Sequence, residues 1–264
     1  MIRPDQIEEI LDQYLLDYID GKCTNVNVMF IGHTGYGKTS VIERWIKKHE
    51  AEIATLNDVY PGTLYDVENG ILVKHFDNGK SQYVYSDDEL KDLQKDNSVL
   101  FLPRINQIKN QEGIDVLYAI IKNRQVPNYQ GVEYDLHNLC MVIATAYPED
   151  GSYYTFPIPD EMKYLFNVYE VQPILQDTAE YLYNYYKSFD RNDDKFRMDI
   201  LDRICKWPDL INHTPAFSPR ILKQELEWAD DECSFLEKLE KRVNSFKDED
   251  PETISRFREI FENQ

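Results

Sequence analysis

Residues 5–20 place Ile7, Ile10, Leu11, Tyr14, Leu15 and Tyr18 three and four positions apart, which is the spacing of one helix face. Gly21 supplies the stop. Val26–Ile31 is a short apolar run, the pattern of a strand buried on both faces. A glycine-rich stretch follows from Gly32 to Gly37, and Thr39–His49 returns to helical spacing. Over residues 51–97 the pattern is irregular. Within it, Gly70–Lys74 and Ser81–Tyr85 flank Asp77-Asn78-Gly79, which predicts a hairpin. Ser86 with Glu89 three residues on reads as a capping box opening a further helix. Val99–Leu102 and Cys140–Ala144 read as two more buried strands. Between them, residues 111–123 carry helical spacing, and Gln125–Tyr134 reads as a second hairpin turning at Gln130-Gly131.

Beyond about Val171 the strand pattern stops. Residues 174–187, 193–206, 218–230, 233–245 and 252–262 all read as helices. Strands alternating with helices, then helices alone, predict an α/β domain with a parallel sheet flanked by helices over residues 1–171. A small helical lid domain is expected over residues 172–264.

The strongest chemical signal is Gly32-His33-Thr34-Gly35-Tyr36-Gly37-Lys38-Thr39, followed by Ser40. It fits G-x-x-x-x-G-K-[ST], the Walker A phosphate-binding loop. Glycines let backbone N–H groups curl around phosphate oxygens without Cβ clashes. Lys38 supplies a positive charge to the β- and γ-phosphates, and the Thr39 hydroxyl is suited to ligate magnesium. The helix that follows presents its positive end to an anion. The motif has its required context, since an apolar strand precedes it and a helix follows. ATP and Mg2+ are therefore the expected cofactors. The contact residues would be Gly32, His33, Thr34, Gly35, Tyr36, Gly37, Lys38, Thr39 and Ser40. A GTPase would need Asp-x-x-Gly and Asn-Lys-x-Asp as well, and neither is found.

Other segments resemble MoxR-type AAA+ ATPases. Ser98–Gln107 (SVLFLPRINQ) resembles that family's Walker B strand, and Tyr85–Leu93 the helix before it. Ala119–Val126 and the hairpin through Gly131, Tyr134 and Leu136 resemble the helix and hairpin ahead of sensor 1. Val142-Ile143-Ala144-Thr145 resembles the sensor-1 strand, and Pro157–Phe166 the segment holding the arginine finger. Ser218-Pro219-Arg220 resembles the sensor-2 motif of the lid, which would bring Arg220 to the nucleotide. The likeness spans roughly residues 5–235. It implies a P-loop NTPase fold of the AAA+ kind.

The departures are as informative. Pro103 and Arg104 stand where the resemblance expects the Walker B Asp and Glu. Tyr147 stands at the sensor-1 Asn, and Leu165 at the arginine finger. The triphosphate-binding parts (Lys38, Thr39, Arg220) remain while the hydrolytic parts are missing. The chain therefore reads as a hydrolysis-deficient module, with no assigned catalytic residue. Asp58, Glu149 and Asp150 are candidate replacement carboxylates, and Lys163 a candidate replacement cation. An active remodelling ATPase with unconventional groups is one alternative. A DNA-directed ATPase in replication or packaging is another.

Charge narrows the partners. The 264 residues carry 29 basic against 48 acidic side chains, a net charge of −19. That disfavours a nucleic-acid-tracking surface, because such affinity comes largely from basic residues displacing counterions. A homo-oligomer or a protein partner is expected instead. Cys23, Cys140, Cys205 and Cys233 are far apart in sequence, a reduced pattern that fits the cytoplasm. No apolar run approaches the ~20 residues needed to span a membrane, and Met1–Asp5 lacks the features of a signal peptide.

Overall fold

The computed structural model describes residues 1–49, 54–56, 71–77, 80–86, 94–107, 111–127, 133–149, 153–188, 195–208, 210–211, 217–243 and 251–262. The chain forms two compact units. One comprises Asp5–Gly32 and Lys38–Glu170; the other comprises Met1–Pro4, His33–Gly37 and Val171–Gln264.

The first unit is built on a five-stranded sheet. Its strands are β1 (Val26–Ile31), β2 (Ala54–Leu56), β5 (Ser98–Leu102), β8 (Leu139–Ala146) and β9 (Asn167–Glu170). They run in the order β2-β5-β8-β1-β9, and every neighbouring pair is parallel. All five residues of β5 and all eight of β8 are buried. That burial on both faces is why these segments read as unbroken apolar runs. Two antiparallel hairpins lie outside the sheet. One is β3 (Ile71–Asp77) with β4 (Lys80–Ser86), and the other is β6 (Gln125–Pro127) with β7 (Glu133–Asp135). The turns expected at Asn78-Gly79 and Gln130-Gly131 lie outside the described residues, as does the helix expected after Ser86. Ser86 itself closes β4.

Helix α1 (Gln6–Ile19) buries Ile7, Leu11 and Leu15; helix α2 (Lys38–Lys48) buries Val41, Ile42, Trp45 and Ile46. Asp12 ties the two together, accepting from Trp45 Nε1 at 2.6 Å and Lys48 Nζ at 3.1 Å, with His49 Nε2 2.9 Å away. Helix α3 (Gln111–Asn123) ends on Arg124, a buried residue with φ 55°. Its guanidinium donates to the carbonyls of Ile120, Ile121 and Val26 and to Asn25 Oδ1. Burial lowers its pKa to about 10. A cation placed on the carbonyl end of a helix satisfies acceptors that the helix itself leaves open.

Two strands depart from the sequence expectation. β2 lies in the stretch read as irregular and has three residues. β9 was not anticipated, and its side chains are mostly exposed. It is an edge strand held by backbone pairing to β1, so its hydrophobic pattern says little. A short helix, α4 (Asp160–Lys163), was also unforeseen.

The second unit carries α5 (Leu175–Lys187), α6 (Lys195–Lys206), α7 (Pro219–Trp228), α8 (Glu232–Val243) and α9 (Pro251–Glu262). Their apolar faces meet in one cluster that includes Leu182, Leu201, Phe217, Leu222, Leu226 and Phe235. Buried Glu225 of α7 is paired with Arg242 of α8 at 2.9 Å. Ser218 caps α7 by accepting from the Ile221 amide at 3.4 Å, and Pro219 occupies the first helical turn. There a missing N–H costs nothing. No helix among the described residues is long and apolar enough to cross a membrane.

Candidate phosphate site

The loop after β1 begins with Gly32, whose amide donates to the Ala146 carbonyl at 3.2 Å. Gly35 and Gly37 adopt φ of 82° and 81°, a region that side chains with a Cβ enter only with strain. At Gly35 the space is also closed. A Cβ there would lie 3.1 Å from both Ser218 Cβ and Oγ, and 3.5 Å from Arg220 Cβ. Arg220 Nη1 donates to Thr34 Oγ1 at 3.4 Å. The structure therefore brings Thr34 and Gly35 together with the Ser218-Pro219-Arg220 motif. Tyr36 is buried, with its ring centroid 5.4 Å from that of His33.

Lys38 opens α2 and is buried. Its Nζ donates to the Gly32 carbonyl at 2.6 Å. Burial lowers its pKa to about 7, because removing an ammonium from water disfavours its charged form. Thr39 is half-buried and Ser40 exposed on the same helix.

Across the sheet, β5 runs into Pro103 and Arg104. Arg104 has φ 57°, an exposed side chain, and an amide that donates to Thr145 Oγ1 at 2.9 Å. A 3-10 turn follows at Ile105–Gln107, and within it Asn106 is buried. Asn106 Nδ2 donates to the Tyr147 carbonyl at 2.9 Å, and the Tyr147 amide donates to Asn106 Oδ1 at 3.2 Å. The Phe156 amide donates to the Asn106 carbonyl at 2.8 Å. Tyr147 is thus fixed just past β8. Its ring stacks on Tyr153 with centroids 4.5 Å apart and lies 5.9 Å from Lys38 Nζ.

The candidate replacements for the missing groups meet each other. Lys163 Nζ donates to Glu149 Oε2 at 3.0 Å, and the Ile158 amide donates to Glu149 Oε1 at 3.1 Å. Burial pushes the Glu149 carboxyl up, but the Ile158 amide and the Lys163 ammonium outweigh it and hold it below its ordinary value. Leu165 packs against the core of the first unit. Asp58 and Asp150 lie outside the described residues. Sequence reasoning gave no role to Asn106, Thr145 or Tyr153. Asn106 could have been noticed as a polar residue two positions past the Pro103-Arg104 pair, but its partner Tyr147 is remote in sequence.

Strand β8 lies between the strand that leads into the glycine loop and the strand that leads into Pro103-Arg104. A parallel sheet in that order, with a helix opening directly after the loop, defines an α/β P-loop NTPase fold of the AAA+ type. Among solved structures, the chain is similar to the RuvB Holliday junction branch migration motor of Thermotoga maritima. The TM-score is 0.50 at 13% identity, over 91% of this chain and 69% of that one. At that identity the likeness is one of fold. No protein-family model matches the chain, and no curated protein sequence matches it.

Proposed function

We propose that this chain binds ATP with Mg2+ on Gly32–Ser40 and does not hydrolyse it efficiently. It would serve as a nucleotide-dependent assembly or regulatory protein, a pseudo-ATPase with MoxR-like segments. The observation that carries this reading is the turn after β5, where Pro103 and an exposed Arg104 stand in place of an acidic pair.

The loop residues fit a phosphate chain. Two glycines with positive φ shape the turn, α2 starts at Lys38, and its buried ammonium donates to a loop carbonyl at 2.6 Å. A phosphate is a stronger partner for that ammonium than a neutral carbonyl. Lys38 would bind the β- and γ-phosphates, Thr39 would hold Mg2+, and Arg220 of a lid over residues 172–264 would approach from its own motif. The bound metal would neutralise phosphate charge.

Magnitudes favour retention over turnover. A positioned base contributes ~10²–10⁴ in rate, and an arginine finger ~10³–10⁵. Glu149 and Lys163 are engaged with each other, which leaves neither free for those tasks without breaking the pair. The nucleotide would then act by binding one lid arrangement better than another. The charge of −19 favours a protein partner or a second copy of this chain, in the cytoplasm, over nucleic acid.

The test titrates ATP·Mg into the purified chain by calorimetry and follows phosphate release in the same preparation, with Lys38→Ala as control. Binding without release above the control is expected. Release that disappears in Lys38→Ala would overturn the pseudo-ATPase, and absence of binding would overturn the nucleotide assignment.

A further inference from the structure

We infer that Arg104 is a triphosphate-selecting anchor, which pairs with the terminal phosphate and makes the site prefer a nucleoside triphosphate to a diphosphate. This rests on the nucleotide-binding reading above.

The register of the sheet brings Arg104 to the right level. Its amide is held by Thr145 Oγ1 at 2.9 Å, and Thr145 lies opposite Phe30 on β1. The next pair, Ala146 with Ile31, is followed directly by the Gly32 amide bonded to the Ala146 carbonyl. Arg104 and the start of the glycine loop therefore leave the sheet at the same end and height, separated only by β8. Neighbouring strands are about 4.8 Å apart, so the crossing from β5 to β1 spans about 10 Å. Lys38 reaches into that gap from one side, with Nζ 5.9 Å from the ring of Tyr147, the first residue past β8. Arg104 borders the same strand end from the other side. An anion held by Lys38 over β8 lies between the two cations.

Two further observations point to an external anion. Arg3, Arg44, Arg203, Arg242 and Arg258 each face a carboxylate. The Arg104 guanidinium has no ion pair or hydrogen bond among the described residues, in a chain with 48 acidic side chains. Its backbone is also held in the left-handed region at φ 57° by the bond to buried Thr145. Strain of this kind persists where surrounding structure over-determines it, often at ligand sites. A guanidinium suits the role because its planar fork matches phosphate oxygens.

The experiment compares ATP·Mg with ADP·Mg by calorimetry on the wild-type chain, Arg104→Asn, Arg104→Lys and Lys38→Ala. Asn tolerates positive φ, so the backbone of the turn is preserved. Wild type is expected to favour ATP. Arg104→Asn should lose about 10- to 100-fold in ATP affinity with ADP affinity nearly unchanged, and Arg104→Lys should recover part of the loss. If ATP and ADP affinities fall together, or if neither changes, Arg104 is not the anchor, although nucleotide binding stands. If wild type binds neither nucleotide, the anchor and the nucleotide reading fall together.

Discussion

Asn106 holds Tyr147 by both polar groups of its backbone, donating to the carbonyl at 2.9 Å and accepting from the amide at 3.2 Å. The side chain acts as a one-residue strand that extends the pairing of β8 past Ala146. In doing so it carries the turn after β5 and the end of β8 as one rigid piece.

Replacing Asn106 by Leu should therefore cost about 2–4 kcal/mol, since it removes two hydrogen bonds and leaves buried polar groups unpaired. Urea denaturation of the nucleotide-free chain checks this. A loss below about 0.5 kcal/mol, the range of a neutral surface change, would show that Tyr147 is held some other way.

Lys38 should make stability pH-dependent. Its folded pKa, lowered to about 7 by burial, lies below the ordinary lysine value of 10.5. Between those values the unfolded chain binds more protons, so stability rises with pH at up to ~1.4 kcal/mol per unit. Below about pH 7 the full burial penalty is present. Lys38→Met should stabilise the nucleotide-free chain at pH 6 and lose most of that gain by pH 10, as followed by denaturant melts at both values.

The same lowered pKa predicts proton uptake when a phosphate binds. An anion beside Nζ favours the ammonium. At pH 8, calorimetric titrations of ATP·Mg in buffers of different ionisation enthalpy should report about one proton taken up. The uptake should vanish at pH 6, where Lys38 is already charged.

Gly35 and Gly21 form a matched pair for testing the loop. Both have positive φ, 82° and 70°, but a Cβ at Gly21 would meet nothing within 4 Å. Gly21→Ala should cost only the left-handed backbone strain of about 1–2 kcal/mol. Gly35→Ala should cost that and more, because Ser218 Cβ and Oγ lie 3.1 Å from the new methyl. Thermal melts of the two variants measure the difference, and equal costs would mean that Ser218 yields freely.

In the helical unit, Arg242→Met should cost about 2–3 kcal/mol by leaving Glu225 buried without its partner. Glu225→Gln in the same chain should recover part of the loss. A double-mutant cycle by urea melts isolates the coupling.

The sheet was legible where strands are buried on both faces. β1, β5 and β8 announce themselves as short, mostly apolar runs. β9 has one sheet neighbour and mostly exposed side chains, so nothing in its four residues marks it. The glycine loop was legible because its pattern is contiguous, and Gly35 and Gly37 do take positive φ. The pairings Arg104–Thr145, Asn106–Tyr147 and Glu149–Lys163 were not legible. The first two join the ends of separate strands 41 residues apart in sequence. The third joins a loop to a helix turn 14 residues on. No local spacing reports such neighbours.

The insertion of β8 between β1 and β5 also sets an order of events during synthesis. A growing chain exposes β1 early, yet both its sheet neighbours, β8 and β9, come more than 100 residues later. Until Leu139–Ala146 emerges, β1 and β5 are two apolar edges with no strand between them, and such long-range parallel pairing is slow and prone to aggregation. The glycine loop, which hangs from the end of β1, gains its frame only when that middle strand slots in. A ribosome stalled before residue 139 would hold a chain with the whole phosphate motif and no means of shaping it.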